Sequence, residues 1–157
     1  MYLIEAWKKI RTNKKLVIVG GSSDTEDFMN QLRQSASDNE DSIIFTGFQE
    51  GQVVEELYSN AYIYCLPSDL EGMPLSLLEA LSYGNCCLVS DIPECTEVVE
   101  DKAVTFAHGN VNHLRDVLQE LLDDCQTVQN YKKEASAFIL DKYNWDDVVT
   151  KTLELYS

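Results

Sequence analysis

Five short apolar runs alternate with helical patterns along this chain, and that alternation limits its fold more than any other feature. The runs are Leu16-Val17-Ile18-Val19, Ile43-Ile44-Phe45-Thr46, Ala61-Tyr62-Ile63-Tyr64-Cys65-Leu66, Cys86-Cys87-Leu88-Val89-Ser90 and Ala103-Val104-Thr105-Phe106. The first two end at Gly20-Gly21 and Gly47, and the third stops at Pro67. Continuous rather than alternating hydrophobicity marks strands buried on both faces. Between the runs, apolar residues recur at helical spacing: Leu3, Ile4, Trp7 and Ile10 in a helix over 2–12, then Phe28, Leu32 and Ala36, then Val53, Val54, Leu57 and Tyr58. Ser23 or Asp24 is the expected cap of the second helix. Pro93 opens a short helix containing Val98 and Val99, and helices follow at 111–123, 126–142 and from Trp145 to Tyr156. Strand–helix alternation of this kind predicts an α/β fold: one Rossmann-like, doubly wound parallel sheet with helices on both faces. Ligands of such sheets bind beyond the carboxyl ends of the strands, so the loops after Val19, Thr46, Leu66 and Ser90 are the first place to look for chemistry.

Charge narrows the function. Twelve Lys and Arg face 27 Asp and Glu, a net charge of −15, with no basic patch to attract nucleic acid or an anionic membrane. No apolar run approaches the roughly 20 residues of a spanning helix, and Met1-Tyr2-Leu3-Ile4-Glu5-Ala6-Trp7 lacks the layout of a secretory signal. The five cysteines are odd in number and show no metal-ligand spacing. Cys65, Cys86 and Cys87 fall in apolar runs and read as buried free thiols of a reducing compartment, so a cytoplasmic location is expected. The 157 residues suit one domain, and neither His108 nor His113 has neighbours that suggest a triad or a metal site, so both read as solvated.

One stretch stands apart: Glu71-Gly72-Met73-Pro74-Leu75-Ser76-Leu77-Leu78-Glu79-Ala80-Leu81-Ser82-Tyr83-Gly84. Gly72 permits a turn, Pro74 suits the first helical position, and Gly84 suits a left-handed helix end. On that helix Leu77, Ala80, Leu81 and Gly84 form an apolar face, while Glu79 neighbours Leu75, Ser76, Ser82 and Tyr83. A carboxylate there needs either a backbone N–H or Lys partner in this chain, or a wet cleft. The open amides of the first turn, with the loop from Ser68 to Met73 leading into them, make the better anion site of the chain. Gly20-Gly21-Ser22 is either a phosphate-binding turn or a plain strand-to-helix turn.

The order Pro67-Ser68, Glu71 through Ala80, then Gly84 closely resembles the donor-site signature of glycosyltransferase family 4. These are retaining two-domain enzymes of the GT-B type, marked by two Glu separated by seven residues. The resemblance spans nearly the whole chain and makes it the C-terminal, donor-binding half of a GT-B fold over residues 1–157. It implies a nucleotide-diphosphate sugar as substrate, a glycan or lipid-linked acceptor, and no metal. It gives Glu79 the ribose hydroxyls and sets Glu71 beside the transferred sugar, favouring positive charge at the anomeric carbon. The backbone of Gly72, Met73 and Leu75, beyond Pro74, meets sugar or diphosphate. Gly20 and Gly21 line the cleft, and the base lies near Gly47, where Phe48 is either a packing partner or an ordinary aromatic. Ser90-Asp91 and Glu97 match a later family stretch but also suit helix-start caps and solvated charges.

The resemblance also implies an absent acceptor-binding N-terminal domain, supplied in cis or in trans, and an absent first strand whose loop brings an Arg and a Lys to the diphosphate. Two other readings compete with a donor-binding half-enzyme. One is a non-catalytic Rossmann-like binding or assembly module. The other, a receiver-type or flavodoxin-like domain, needs acidic residues at strand ends where this chain has Gly20, Gly47, Pro67 and Ser90. Glycoside hydrolysis by the two Glu is disfavoured, because Glu79 inside a helix is better placed to hold a diol.

Overall fold

The computed structural model describes residues 1–21 and 26–156. The elements run α1 (Tyr2–Trp7), β1 (Leu16–Val19), α2 (Glu26–Ala36), β2 (Ile43–Gly47), α3 (Gln52–Asn60), β3 (Tyr64–Leu66), α4 (Leu75–Ser82), β4 (Cys87–Ser90), α5 (Pro93–Val99), β5 (Val104–Phe106), α6 (Val111–Asp123), α7 (Cys125–Lys142) and α8 (Trp145–Glu154). The expected caps at Ser23 or Asp24, and Ser22 of the first glycine turn, lie outside the described residues.

Every strand pair is parallel: β1 with β2, β3 with β4, and β4 with β5. The α/β class therefore holds, with one refinement. The ladder is divided into a pair and a triple, and no backbone pairing joins β1 to β3 among the described residues. The two groups nonetheless share a core. Leu16 and Ile18 of β1 and Ile63 and Cys65 around β3 pack on the cluster formed by Ile4, Trp7, Leu32, Leu88, Phe106, Leu114 and Leu118. Lys14, just before β1, lies 3.8 Å from the ring centre of Tyr62, just before β3.

Strand β4 shows why helices cover both faces of the triple. Successive side chains on a strand point to opposite sides. Leu88 enters the cluster under α1 and α6, whereas Cys87 and Val89 enter a second cluster with Leu77, Ala80 and Leu81 of α4, Val98 and Val99 of α5, and Ala135 and Ile139 of α7. The pair β1–β2 differs. Val17, Val19 and Ile44 remain 38–45% exposed, so one of its faces is uncovered despite the continuous apolar run.

Two other expectations shift. Helix α1 ends at Trp7 rather than near residue 12, because the Arg11 backbone is engaged elsewhere: its N–H donates to Gln119 Oε1 at 2.9 Å and its carbonyl accepts from Gln119 Nε2 at 3.2 Å. Strand β3 covers only Tyr64–Leu66 of the longer run, pairing with β4 on one side and, among the described residues, with no strand on the other. All five cysteines are free thiols, and Cys125 is exposed. Burial pushes Cys65 up to about 12 and Cys86 to about 11, so these two thiols stay protonated at neutral pH and serve as packing.

Helix α4 is fixed from three directions. Leu77, Ala80 and Leu81 are fully buried between β4 and α7. Gly84 has φ +73°, and the bonds Asn85 N–H to Ala80 O (3.1 Å) and Gly84 N–H to Leu81 O (2.9 Å) form the double closure of a Schellman motif. Buried Asn85 locks the same corner by donating from Nδ2 to the carbonyls of Ala80 and Tyr58, both at 3.0 Å. The helix that carries Glu79 is thus a rigid platform.

Candidate functional site

The parallel strands bring four loops to one rim at their carboxyl ends. Gly20-Gly21 follows β1, Gly47 ends β2 with Phe48 after it, Pro67 to Pro74 follows β3, and Asp91 follows β4. The first two loops touch. Gly20 N–H donates to Gly47 O at 2.9 Å, and a Cβ added at Gly21 would meet Phe48 atoms at 3.5–4.0 Å. Gly20 and Gly47 have φ of +128° and +68°, which side chains rarely adopt. Phe48 is 74% exposed, so it is an aromatic surface on the rim rather than a core residue.

The loop after β3 leads into α4 as the sequence implies, with a difference of one residue. Pro74 is the N-cap of α4 rather than its first helical residue, and Leu75 N–H donates to Met73 O at 2.8 Å. Leu77 and Leu78 donate back to Pro74 O. The amides of Gly72, Met73 and Ser76 donate to no acceptor among the described residues. Three unpaired donors thus lie at or just before the positive end of the helix. Gly72 itself has no left-handed φ, and nothing lies within 4 Å of a Cβ built on it. Its freedom is not needed for the turn; it leaves open space over the loop.

Two carboxylates flank this amide cluster. Glu71 accepts from Ser68 Oγ at 2.5 Å, which joins two of the residues implicated by the sequence. Glu79 is exposed and accepts from Tyr58 Oη at 3.0 Å through Oε2. Of the alternatives the sequence left open, no lysine or backbone N–H among the described residues meets its carboxylate. Tyr58 lies on α3, stacks on Tyr83 at 5.5 Å between ring centres, and approaches Tyr64 at 6.0 Å. Tyr64 Oη in turn donates to Ser76 Oγ at 2.8 Å. Three tyrosines thereby set the orientation of α4's exposed edge. Sequence spacing offered no signal for this, since Tyr58 and Glu79 are 21 residues apart.

Burial, then the hydrogen bond to Glu79, pushes the Tyr58 phenol well above its ordinary value of 10.0, and burial does the same for Tyr64. Above about pH 10 the unfolded chain releases these protons while the folded chain keeps them. Stability is therefore fully present below pH 10 and falls as pH rises beyond it. Unfolding melts between pH 9 and 11.5 should show this decline, and Tyr58→Phe should make it shallower.

Asp91 and both histidines are exposed, as the sequence suggests, and each is also hydrogen-bonded into the rim. Asp91 Oδ1 accepts from His108 N–H at 2.7 Å, and it does not cap α5, whose N-cap is Ile92. His113 Nδ1 accepts from Ala107 N–H at 2.8 Å, and His108 Nε2 lies 2.8 Å from Asp69 Oδ1. No Lys or Arg among the described residues bonds to any side chain between residues 67 and 79. Glu97 belongs elsewhere: its carbonyl accepts from Lys142 Nζ at 2.6 Å. An open cleft of about 650 Å³ lined by Lys9, Arg11 and Arg115 shares no residue with the rim, and Asp116 and Asp123 offset its charge.

The arrangement can hold an anion on the amides of α4 and hydroxyl-bearing groups on two carboxylates. The family model for "Glycosyl transferases group 1" matches residues 1–151. The chain belongs to the group 1 glycosyl transferases. A relative in Methanocaldococcus jannaschii, an uncharacterized glycosyltransferase, is 28% identical over 159 residues, covering 99% of this chain and 40% of its own. The N,N'-diacetylbacillosaminyl-diphospho-undecaprenol alpha-1,3-N-acetylgalactosaminyltransferase of Campylobacter jejuni is 31% identical over 105 residues, covering 66% of this chain and 28% of its own. Among solved structures, Anabaena HepE in complex with UDP and glucose superposes with a TM-score of 0.90 at 17% identity, covering 99% of this chain and 43% of its own. A glycosyltransferase from Rickettsia africae superposes equally well, at 16% identity and 42% of its own chain.

The fold of this group 1 domain is accordingly that of the Rossmann-like C-terminal domain of GT-B enzymes, and it spans about two fifths of the length of such relatives. The amide cluster, Glu71 and Glu79 lie on the stretch Glu71–Gly84 that sequence reading singled out, and Ser68 lies in the Pro67-Ser68 pair just before it. Tyr58 beside Glu79, and the rim residues Asp69 and His108, are the ones it missed. Among the described residues no helix is long and apolar enough to cross a membrane.

Proposed function

We propose that this chain is the donor-binding half of a retaining glycosyltransferase that moves a hexose from a nucleotide-diphosphate sugar to a glycan or lipid-linked acceptor. The observation that carries the reading is the unpaired amide set of Gly72, Met73 and Ser76, with Glu71 and Glu79 on either side of it in the chain. In this reading the diphosphate lies against those amides and the dipole end of α4. The ribose hydroxyls donate to Glu79, whose orientation Tyr58 fixes. Glu71, oriented by Ser68, bonds the hexose hydroxyls and stabilises positive charge as it grows at the anomeric carbon. Gly20, Gly21, Gly47 and Phe48 hold the base, and Leu75 contributes to the sugar side of the loop. The UDP and glucose named for the Anabaena protein support a donor of this kind.

Two further elements belong to the proposal. The diphosphate needs cations, and among the described residues no Lys or Arg bonds to the side chains of residues 67–79. The open edges of β1 and β3 over one shared core suit one more parallel strand between them, which would merge pair and triple into a six-stranded sheet. An N-terminal domain, in cis or in trans, supplies that strand, the cations and the acceptor site, and the completed enzyme works in the cytoplasm.

Calorimetric titration of this chain with UDP, GDP and their sugars tests the reading. Saturable binding is expected, and no binding at millimolar ligand would favour the non-catalytic module instead. Gly72→Ala sharpens the test. The added methyl meets no protein atom, so stability should change by less than about 0.5 kcal/mol. The methyl enters the space assigned to the donor, so affinity should fall about tenfold, roughly 1.4 kcal/mol. Unchanged affinity would remove the donor from that loop.

A further inference from the structure

We propose that His108 is a positioning residue for the loop Pro67–Pro74, acting through Asp69; the inference rests on the donor reading of that loop. Every side-chain hydrogen bond that leaves residues 67–73 for another segment, among the described residues, runs through the Asp69 carboxylate. Its Oδ1 meets His108 Nε2 at 2.8 Å, and its Oδ2 accepts from Tyr2 Oη at a long 3.4 Å. The other bonds of the loop are internal: Ser68 to Glu71, and Met73 O with Leu75 N–H. Among the described residues the amides of Gly72 and Met73 have no acceptor, and Leu70 and Met73 are 79% and 56% exposed, so burial restrains the loop mainly at its Pro74 end.

The other end of the tie is stiff. His108 N–H donates to Asp91 Oδ1 at 2.7 Å, Ala107 N–H to His113 Nδ1 at 2.8 Å, and Asn110 N–H to Ala107 O at 3.0 Å. Asn110 then caps α6 by accepting from His113 N–H at 3.0 Å. Asp91 N–H donates to Phe106 O at 3.0 Å, which binds this loop to the end of β5. His108 therefore projects from a braced corner of β4, β5 and α6, and its ring holds the residue next to Ser68 and two before Glu71. The side chains of His108 and Asp69 are 44% and 61% exposed. A pair so exposed adds little to global stability, so its role is local.

NMR order parameters of the backbone amides and nucleotide-sugar titration, both on the full chain, test the tie in wild type, His108→Ala and His108→Gln. His108→Ala should lower the order parameters of residues 68–73 to below about 0.6 and weaken UDP-sugar binding several-fold, with the unfolding midpoint unmoved. His108→Gln, whose Nε2 donor reaches a similar position, should restore both. Order parameters in 68–73 that are unaltered in His108→Ala overturn the tie, as does lowered order with unchanged donor affinity. Failure of the donor reading looks different: wild type itself binds no nucleotide sugar, and the order-parameter comparison still decides whether His108 holds the loop.

Discussion

Glu79→Ala is expected to weaken binding of a nucleotide-diphosphate sugar about 100-fold while leaving the fold intact. A carboxylate accepting two hydroxyl donors contributes roughly 1.5 kcal/mol per bond, about 3 kcal/mol together, and each 1.4 kcal/mol is a factor of ten. The fold tolerates the change because Glu79 is exposed and α4 is held by Leu77, Ala80, Leu81 and the closure at Gly84. Tyr58 loses its best acceptor but keeps a weaker approach to Ser76 O at 3.4 Å. Tyr58→Phe separates the two roles. It leaves the carboxylate and removes the group that orients it, so affinity should fall only a few-fold. Equal losses in the two variants would mean that Glu79 matters for architecture rather than for the ligand.

Glu71→Gln, made in the enzyme completed by its N-terminal domain, is expected to lower kcat by roughly 10² to 10³ with donor affinity changed only a few-fold. The amide keeps the size of the side chain and can still accept from Ser68. What it loses is the negative charge, which acts most strongly as positive charge develops at the anomeric carbon, so the loss belongs to the transition state. Steady-state kinetics with varied donor reads the split directly. A raised KM with kcat preserved would exchange the roles given to Glu71 and Glu79.

The legible and illegible parts of this molecule divide along sequence separation. The stretch Glu71–Gly84 showed its loop, helix, apolar face and left-handed end in the sequence, because each depends on neighbours within four residues. Its local errors are small: Gly72 does not need its conformational freedom for the turn, and Pro74 is the cap instead of the first helical position, a shift of one residue at a helix end. The contacts that orient the site were hidden for the opposite reason. Tyr58 reaches Glu79 across 21 residues, and His108 reaches Asp69 across 39. No periodicity encodes such pairs; only the winding of strands and helices creates them.

The sheet repeats the lesson. Leu16–Val19 reads as a strand buried on both faces, yet Val17 and Val19 are exposed, because burial depends on what packs beyond the pair rather than on the run itself. Likewise the run from Ala61 has strand composition throughout, but only Tyr64–Leu66 finds a ladder partner.

The central claim is that a sugar nucleotide docks on the amide end of α4 between the two acids. A crystal structure of the chain soaked with a UDP- or GDP-sugar tests it most directly. The account predicts diphosphate oxygens within about 3 Å of the amides of Gly72, Met73 or Ser76 and both ribose hydroxyls on Glu79. A nucleotide bound elsewhere, with those amides open and Glu79 touching only Tyr58, would contradict it.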